Sequence, residues 1–225
     1  MAPDPKELLR KGFEKSLLAQ QPLARKNVER LRRLNPDESP AQLVKRLDRE
    51  YLTAVTATGT AAGGVAMVPG LGIPAGLAAA TADTLAFTEA SILYVLCLAE
   101  VYGLHPDDLE RRRLLVWTVM LGDSAVAALD PVLKKTGGYW AAKIVKSIPM
   151  SAINKANKLL GPRFITKYGT KQGVLVLGKQ VPLGIGAAIG GGGNHVFGRL
   201  TIKSGRKIFG PPPVRFRMAT VGDKS

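Results

Sequence analysis

The chain contains very little cysteine, histidine and aromatic side chain. Among 225 residues there are one Cys, two His and 6% Phe, Trp and Tyr. A single cysteine, Cys97, excludes an intramolecular disulfide, and its place in an apolar run is typical of a small core residue. With only His105 and His195 besides, a zinc site is disfavoured. We therefore expect a core of Ala, Leu, Val and Ile, in which the 25 glycines allow close helix contacts.

Acidic residues are almost absent from the C-terminal part of the chain. Residues 131–225 contain 17 Lys and Arg but a single acid, Asp223, within a total net charge of +15. Surface charge of one sign is an argument about partners rather than about fold. Anionic lipid, nucleic acid and an acidic protein are the candidate partners, and a solvated basic surface without a dedicated partner is the alternative.

The sequence also lacks an apolar N-terminal segment of the kind found in secretory signals, so we expect an intracellular protein. No strand pattern and no fixed-period repeat is evident. Apolar residues recur instead at helical spacing, which predicts an all-α fold, a single bundle of about seven to nine helices. We divide the chain into charged amphipathic helices over 1–38, a helical domain over 39–210 and a proline-led flexible tail over 211–225.

Proline and glycine predict the helix boundaries within this bundle. Ser39-Pro40 is a favourable helix start, with Ser as N-cap and Pro at the first helical position. Gly103 predicts a helix end, and a last long helix is expected from about Pro182 to Phe209. Helix breaks are also predicted at these positions: Pro22, Gly122, Pro131, Gly137-Gly138 and Gly161-Pro162.

A glycine- and alanine-rich apolar hairpin is predicted at the centre of the bundle. No charged residue occurs between Tyr51 and Ala82, and the turn Pro69–Pro74 separates two apolar helices, 52–68 and 74–102. The first helix is only ~25 Å long, and the second contains carboxylates that are unfavourable at mid-bilayer. We favour a buried core with membrane contact over a re-entrant hairpin, and a two-span hairpin comes third. Basic flanks place both ends on the cytoplasmic side.

Several segments resemble the EcsC protein family over roughly residues 39–209. The similar segments are Ser39-Pro40, Thr56–Gly64, Pro69–Pro74, Leu98–Gly103, Leu121-Gly122, Asn154–Leu160, Pro182–Gly190 and Asn194. The resemblance lies in small-residue patterns and their spacing. It implies a bacterial, helical protein associated with membranes, with an ABC transporter as a candidate partner. It implies no catalytic or binding residues.

No motif indicates catalysis. Gly70-x-Gly72 and Gly184-x-Gly186 follow no predicted strand and precede no Gly-Lys-Ser/Thr, so a nucleotide-binding loop is disfavoured. Helix packing better explains the glycines spaced four apart, namely Gly59 and Gly63, Gly72 and Gly76, and Gly186 and Gly190. Such packing between copies of the chain is an open alternative. Asp83, Glu89 and Glu100 have no metal-binding Glu-x-x-His pattern. We expect these buried carboxylates to pair with Lys or Arg from the basic half. We predict a non-enzymatic protein without metal or cofactor.

The last helix contains the most specific electrostatic pattern. A basic stripe that starts at His195 lies beside apolar positions, as expected of a helix at a membrane surface. The residues predicted to bind lipid are Arg199, Lys203, Arg206 and Lys207. The sequence thus predicts peripheral attachment to anionic lipid at the cytoplasmic face of the membrane. A core helix with a basic outer face is one alternative. Nucleic-acid binding through the same surface is the other, although the basic half has no stacking platform or DNA-reading motif.

Overall fold

A computed structural model of the chain describes residues 5–65, 72–106, 108–133, 139–178 and 185–216. This part of the chain forms eight helices and contains no strand, which confirms the all-α prediction. In chain order the helices are α1 Pro5–Leu34, α2 Pro40–Val65, α3 Gly72–Val101, α4 Leu109–Leu121, α5 Asp123–Leu133, α6 Trp140–Lys146, α7 Met150–Gly178 and α8 Ile185–Phe209.

Helix α3 is the central helix of the bundle. It packs against α1, α2, α4, α7 and α8, and it is the most apolar helix of the bundle, as expected of a helix largely surrounded by protein. Within the described residues, Ala78–Val101 is the one segment long and apolar enough to cross a membrane, and 67% of its apolar window is buried inside the protein. Of the predicted turn Pro69–Pro74, residues 69–71 lie outside the described part, whereas residues 72–74 already belong to α3, which begins two residues before the predicted start at Pro74.

Helix α1 continues through Pro22, so the predicted break at this residue is wrong. A proline removes the hydrogen bond to the carbonyl four residues earlier, here that of Leu18. Leu18 and Pro22 both lie on the exposed side of α1, where water can solvate the freed carbonyl. Leu17 and Ala24 are buried on either side of the proline. Both halves of the helix are therefore held against the same core.

The predicted breaks at Pro131 and Gly161-Pro162 are wrong as well. Pro131 lies in the last turn of α5, and Pro162 lies on the exposed side of α7. Gly161 serves a packing role, because a Cβ built there would lie 3.2 Å from Cη2 of Trp117. The break at Gly122 is confirmed, and its φ of +66° explains why glycine ends α4 there. Gly137-Gly138 lie outside the described residues.

Helices α2 and α8 form a close antiparallel pair. Helix α2 begins with a capping box, in which the Ser39 Oγ accepts from the Gln42 N–H and the Gln42 side chain accepts from the Ser39 N–H. A Cβ built on Gly198 of α8 would lie 2.9 Å from both Leu52 and Val55 of α2. This helix is continuous through Gly190–Gly193 and ends at Gly210, where φ is +78°.

Of the glycines predicted to mediate helix packing, Gly59 is buried. The surroundings of the others in that set lie outside the described side chains: Gly63, Gly72, Gly76, Gly186 and Gly190. The close helix contacts that the structure does show involve different glycines, namely Gly12, Gly161, Gly198 and Gly205.

Candidate functional site

An open groove of about 1060 Å³ runs between α2 and α8. Its walls contain five cations, one carboxylate and four apolar side chains. Helix α2 contributes Lys45, Asp48, Arg49 and Leu52, and α8 contributes Val196, Arg199, Leu200, Ile202, Lys203 and Arg206. The groove therefore combines basic and apolar surface in one concave site.

The apolar part of the groove is unusually exposed. Val196 and Leu200 are 57% and 52% exposed, and four residues apart they lie on the same face of α8. Leu52 and Ile202 are half-buried beside them. These four side chains form a small contiguous apolar patch inside the basic groove.

Three of the four predicted lipid-binding residues line the groove, namely Arg199, Lys203 and Arg206, whereas Lys207 does not. All four side chains are exposed, but two are already paired. Arg206 donates to Oδ2 of Asp48 over 2.6 Å, and Lys207 donates to Asp123. The Lys207 ammonium correspondingly lowers the pKa of Asp123.

Arg199 and Lys203 differ from this pair, since neither forms a hydrogen bond or ion pair with any residue that the structure describes.

His195, predicted to start the stripe, is half-buried, and its Nδ1 lies 3.2 Å from Oγ1 of Thr56. It faces α2 rather than open solvent.

Lys45 and Arg49 complete the basic part of the groove and were not predicted as binding residues. In the sequence they indicate only a basic flank of the apolar hairpin. Both are exposed and, within the described part of the chain, without a hydrogen-bonded or ion-paired partner. The antiparallel register, fixed by the Asp48–Arg206 and Thr56–His195 contacts, places Arg49 within one turn of the level of Lys203. Arg46 faces elsewhere and pairs with Glu38.

A buried polar network underlies the groove and fixes α8 on α2. Asp48 is only 5% exposed, and its Oδ1 accepts a 2.6 Å hydrogen bond from the Tyr94 hydroxyl. Tyr94 stacks on Tyr51 with ring centroids 4.5 Å apart. Ser91 donates to the Phe87 carbonyl, so the Tyr51 hydroxyl is the donor in its 2.7 Å bond with Ser91.

Both tyrosines of this network keep their protons at neutral pH. Burial raises the pKa of Tyr51 to about 12. It also raises the pKa of Tyr94 well above its ordinary value, and the neighbouring Asp48 carboxylate adds to that effect. The hydroxyls therefore act as hydrogen-bond donors at neutral pH.

Two variants of Asp48 should distinguish how much each of its two hydrogen bonds, one from Tyr94 and one from Arg206, contributes to stability. Asp48→Ala leaves the buried Tyr94 hydroxyl without an acceptor and should lower the free energy of unfolding by ~1–3 kcal/mol. Asp48→Asn keeps an acceptor for Tyr94 and removes only the charge that faces Arg206, whose own side chain is exposed to water, so its loss should be smaller than that of Asp48→Ala. Urea denaturation of both variants measures the difference. Asp123→Asn, at an exposed ion pair, is the control; a loss there equal to that of Asp48→Ala would contradict this assignment.

The carboxylates of α3 have partners other than those predicted. Glu89 accepts from Nε2 of Gln20 and Glu100 from Nε2 of Gln21, each over 3.0 Å, so both are held by α1. For these two glutamates, the predicted pairing with the basic half is wrong. Asp83 does bond to α8, but through the neutral Asn194 amide at 2.7 Å. The partners come from α1 instead, where Gln20 and Gln21 are neutral donors and Arg25 places a cation 3.9 Å from Glu100. Glu89 is also exposed rather than buried.

Burial raises the pKa of Glu100, and the nearby His105 and Arg25 oppose that shift only in part. Nε2 of His105 lies 3.2 Å from Oε2 of Glu100.

In the part of the chain that the structure describes, no group of three or more His, Cys, Asp or Glu side chains is arranged to hold a metal ion.

Comparison of the chain with protein-family models, with curated proteins and with solved structures found no match. The similarity to the EcsC family therefore stays a prediction that rests on the sequence motifs.

Proposed function

We propose that this protein is a non-enzymatic, peripheral membrane-binding protein that attaches to anionic lipid at the cytoplasmic face through the groove between α2 and α8. The observation that supports this function is the combination of unpaired cations with exposed apolar side chains on one face. The cations are Lys45, Arg49, Arg199 and Lys203, and the apolar side chains are Val196 and Leu200.

The two kinds of side chain would act at different depths of the membrane. Lys and Arg side chains attract anionic headgroups within a Debye length of the surface. Valine and leucine enter the boundary between headgroups and acyl chains, as the apolar face of an interfacial helix does. Val196, Arg199, Leu200 and Lys203 are all exposed, and their i, i+3, i+4, i+7 spacing places them on one face of α8. One approach of this face to a bilayer therefore engages both the cations and the apolar side chains.

The electrostatic contribution should dominate. Each unpaired cation contributes ~1 kcal/mol near an anionic leaflet, so the four together contribute ~4 kcal/mol. Full burial of a Val or Leu side chain gives ~1.5–3 kcal/mol, and about half of each side chain is already buried here. Two apolar residues thus add less than the four cations, and attachment should be sensitive to salt.

Arg206 and Lys207 have a smaller part in this proposal than Arg199 and Lys203. Their charges are already neutralised by Asp48 and Asp123. Exchange of a protein carboxylate for a lipid phosphate gains little net attraction. Of the four cations without an ion pair, Arg49 and Lys203 already attract Glu38 and Asp123 from a distance and help to lower the pKa of each carboxyl. Lys45 and Arg199 should therefore gain most from a headgroup.

Nucleic acid is the competing partner, since the same cations could bind phosphates without reading sequence. Phosphate contacts leave no role for Val196 and Leu200, which are exposed in the same groove as the cations. A membrane surface engages both groups, and we therefore place lipid first.

Flotation of the purified protein with lipid vesicles tests the proposal. The protein should float with vesicles that contain phosphatidylglycerol at low salt, and high salt should release it. Neutral phosphatidylcholine vesicles should not retain it. Equal binding to neutral vesicles would overturn the electrostatic part. If duplex DNA binds tightly and no vesicle does, the nucleic-acid alternative replaces the proposal.

A further inference from the structure

The groove between α2 and α8 is polarised along its length. The Asp48–Arg206 and Thr56–His195 contacts set the antiparallel register of the two helices. Lys45 and Arg49 of α2 thereby lie toward the end of the groove near Arg206. Further along, Leu52 contacts α8 beside Gly198, in the stretch that contains Leu200 and Val196. Most of the charge thus lies at one end of the groove, and most of the exposed apolar surface lies at the other.

Attachment to a flat bilayer requires neither a concave site nor this segregation. A convex face with mixed basic and apolar residues would bind equally well. A concave site of about 1060 Å³ with a charged end and an apolar end matches instead the shape of one amphiphile lying along the helices.

We propose that the groove holds one anionic phospholipid, with its phosphate between Arg49 and Lys203 and one of its two acyl chains over Leu52 and Leu200 toward Val196. This inference rests on the membrane-binding function proposed above and names the ligand of the same face. From Lys203 to Val196 the groove extends ~10 Å along α8. The groove therefore covers the part of the acyl chain nearest the headgroup. The rest of a long acyl chain stays in the bilayer.

The charged end suits a phosphate group in particular. A guanidinium such as that of Arg49 binds a phosphate through two parallel hydrogen bonds, and a lysine adds a mobile point charge. The one carboxylate of the groove, Asp48, is buried and already bound by Tyr94 and Arg206. Its repulsion of a bound phosphate is therefore reduced.

Isothermal titration with soluble lipids tests for a discrete site. Dihexanoyl phosphatidic acid, kept below its critical micelle concentration, should bind saturably with one lipid per protein. Glycerol 3-phosphate has the same headgroup without chains, and dihexanoyl phosphatidylcholine has the chains with a zwitterionic headgroup. Each should bind at least tenfold more weakly. Equal binding of glycerol 3-phosphate would show an anion site only and overturn the proposal.

A matched pair of variants locates the site. Leu200→Ser removes an exposed leucine from the groove, and Leu18→Ser removes an equally exposed leucine from α1. Both changes have the same effect on helix propensity. Affinity for dihexanoyl phosphatidic acid should fall about tenfold for Leu200→Ser and stay unchanged for Leu18→Ser, with thermal melts confirming that both fold. Equal affinities would overturn the assignment to the groove.

Vesicle flotation of the same wild-type protein separates this inference from the proposed function. Binding to anionic vesicles without saturable binding of the soluble lipid would overturn the single-lipid site and leave peripheral attachment in place. Failure to bind either would overturn both. Saturable binding of the soluble lipid alone would retain the site and overturn attachment to membranes.

Discussion

Leu17→Ala should lower the free energy of unfolding by ~2–5 kcal/mol, whereas Leu18→Ala should change it by less than ~0.5 kcal/mol. The two residues are adjacent on α1, but Leu17 is 0% exposed and Leu18 is 59% exposed. The same atoms are removed in each case, with the same change in helix propensity. The difference therefore measures burial alone, and the midpoint of urea denaturation reports it.

This comparison also tests whether α1 folds together with the rest of the bundle. Phe13 of α1 stacks on Trp117 with ring centroids 5.4 Å apart and contacts Phe164 at 4.9 Å. Gln20 and Gln21 bond to carboxylates of α3. We therefore expect a single cooperative transition that Leu17→Ala shifts as a whole. If α1 melted separately while the main transition stayed in place, residues 1–38 would be an independent unit.

Helices and most of their ends could be predicted because they depend on local sequence. The positive φ angles of Gly103, Gly122 and Gly210 explain why these glycines mark helix ends. Whether a proline breaks a helix could not be predicted in the same way. Pro22, Pro131 and Pro162 each lie inside a helix, on a side where water can reach the backbone. Which side of a helix faces solvent depends on tertiary packing, and a proline alone does not reveal it.

The composition of the groove also depends on tertiary packing, which local sequence does not reveal. The spacing of cations on α8 is visible in the sequence, and the structure places all four predicted residues on exposed surface. Which of them are neutralised is decided by distant residues. Arg206 pairs with Asp48, 158 positions earlier, and Lys207 pairs with Asp123, 84 positions earlier. Lys45 and Arg49 join the groove only because α2 and α8 pack antiparallel.

The double variant Lys45→Gln/Lys203→Gln should weaken binding to anionic vesicles by about 30-fold, since each lysine contributes ~1 kcal/mol and each ~1.4 kcal/mol corresponds to a factor of ten. The matched control is Lys155→Gln/Lys158→Gln on α7. These two lysines are also exposed, and the change in net charge is identical. The control should reduce affinity far less, because its charges lie outside the groove face.

Measurements at several salt concentrations and with duplex DNA distinguish binding through the groove face from binding through net charge or to nucleic acid. The difference between the double variant and its control should shrink as ionic strength rises, because exposed charges are screened beyond a Debye length of ~8 Å at physiological salt. If both double variants lose affinity equally, binding follows net charge and the groove face has no special role. If instead the groove variant loses affinity for duplex DNA while wild type ignores vesicles, the unpaired cations bind nucleic-acid phosphates. The exposed side chains of Leu200 and Val196 would then need another partner.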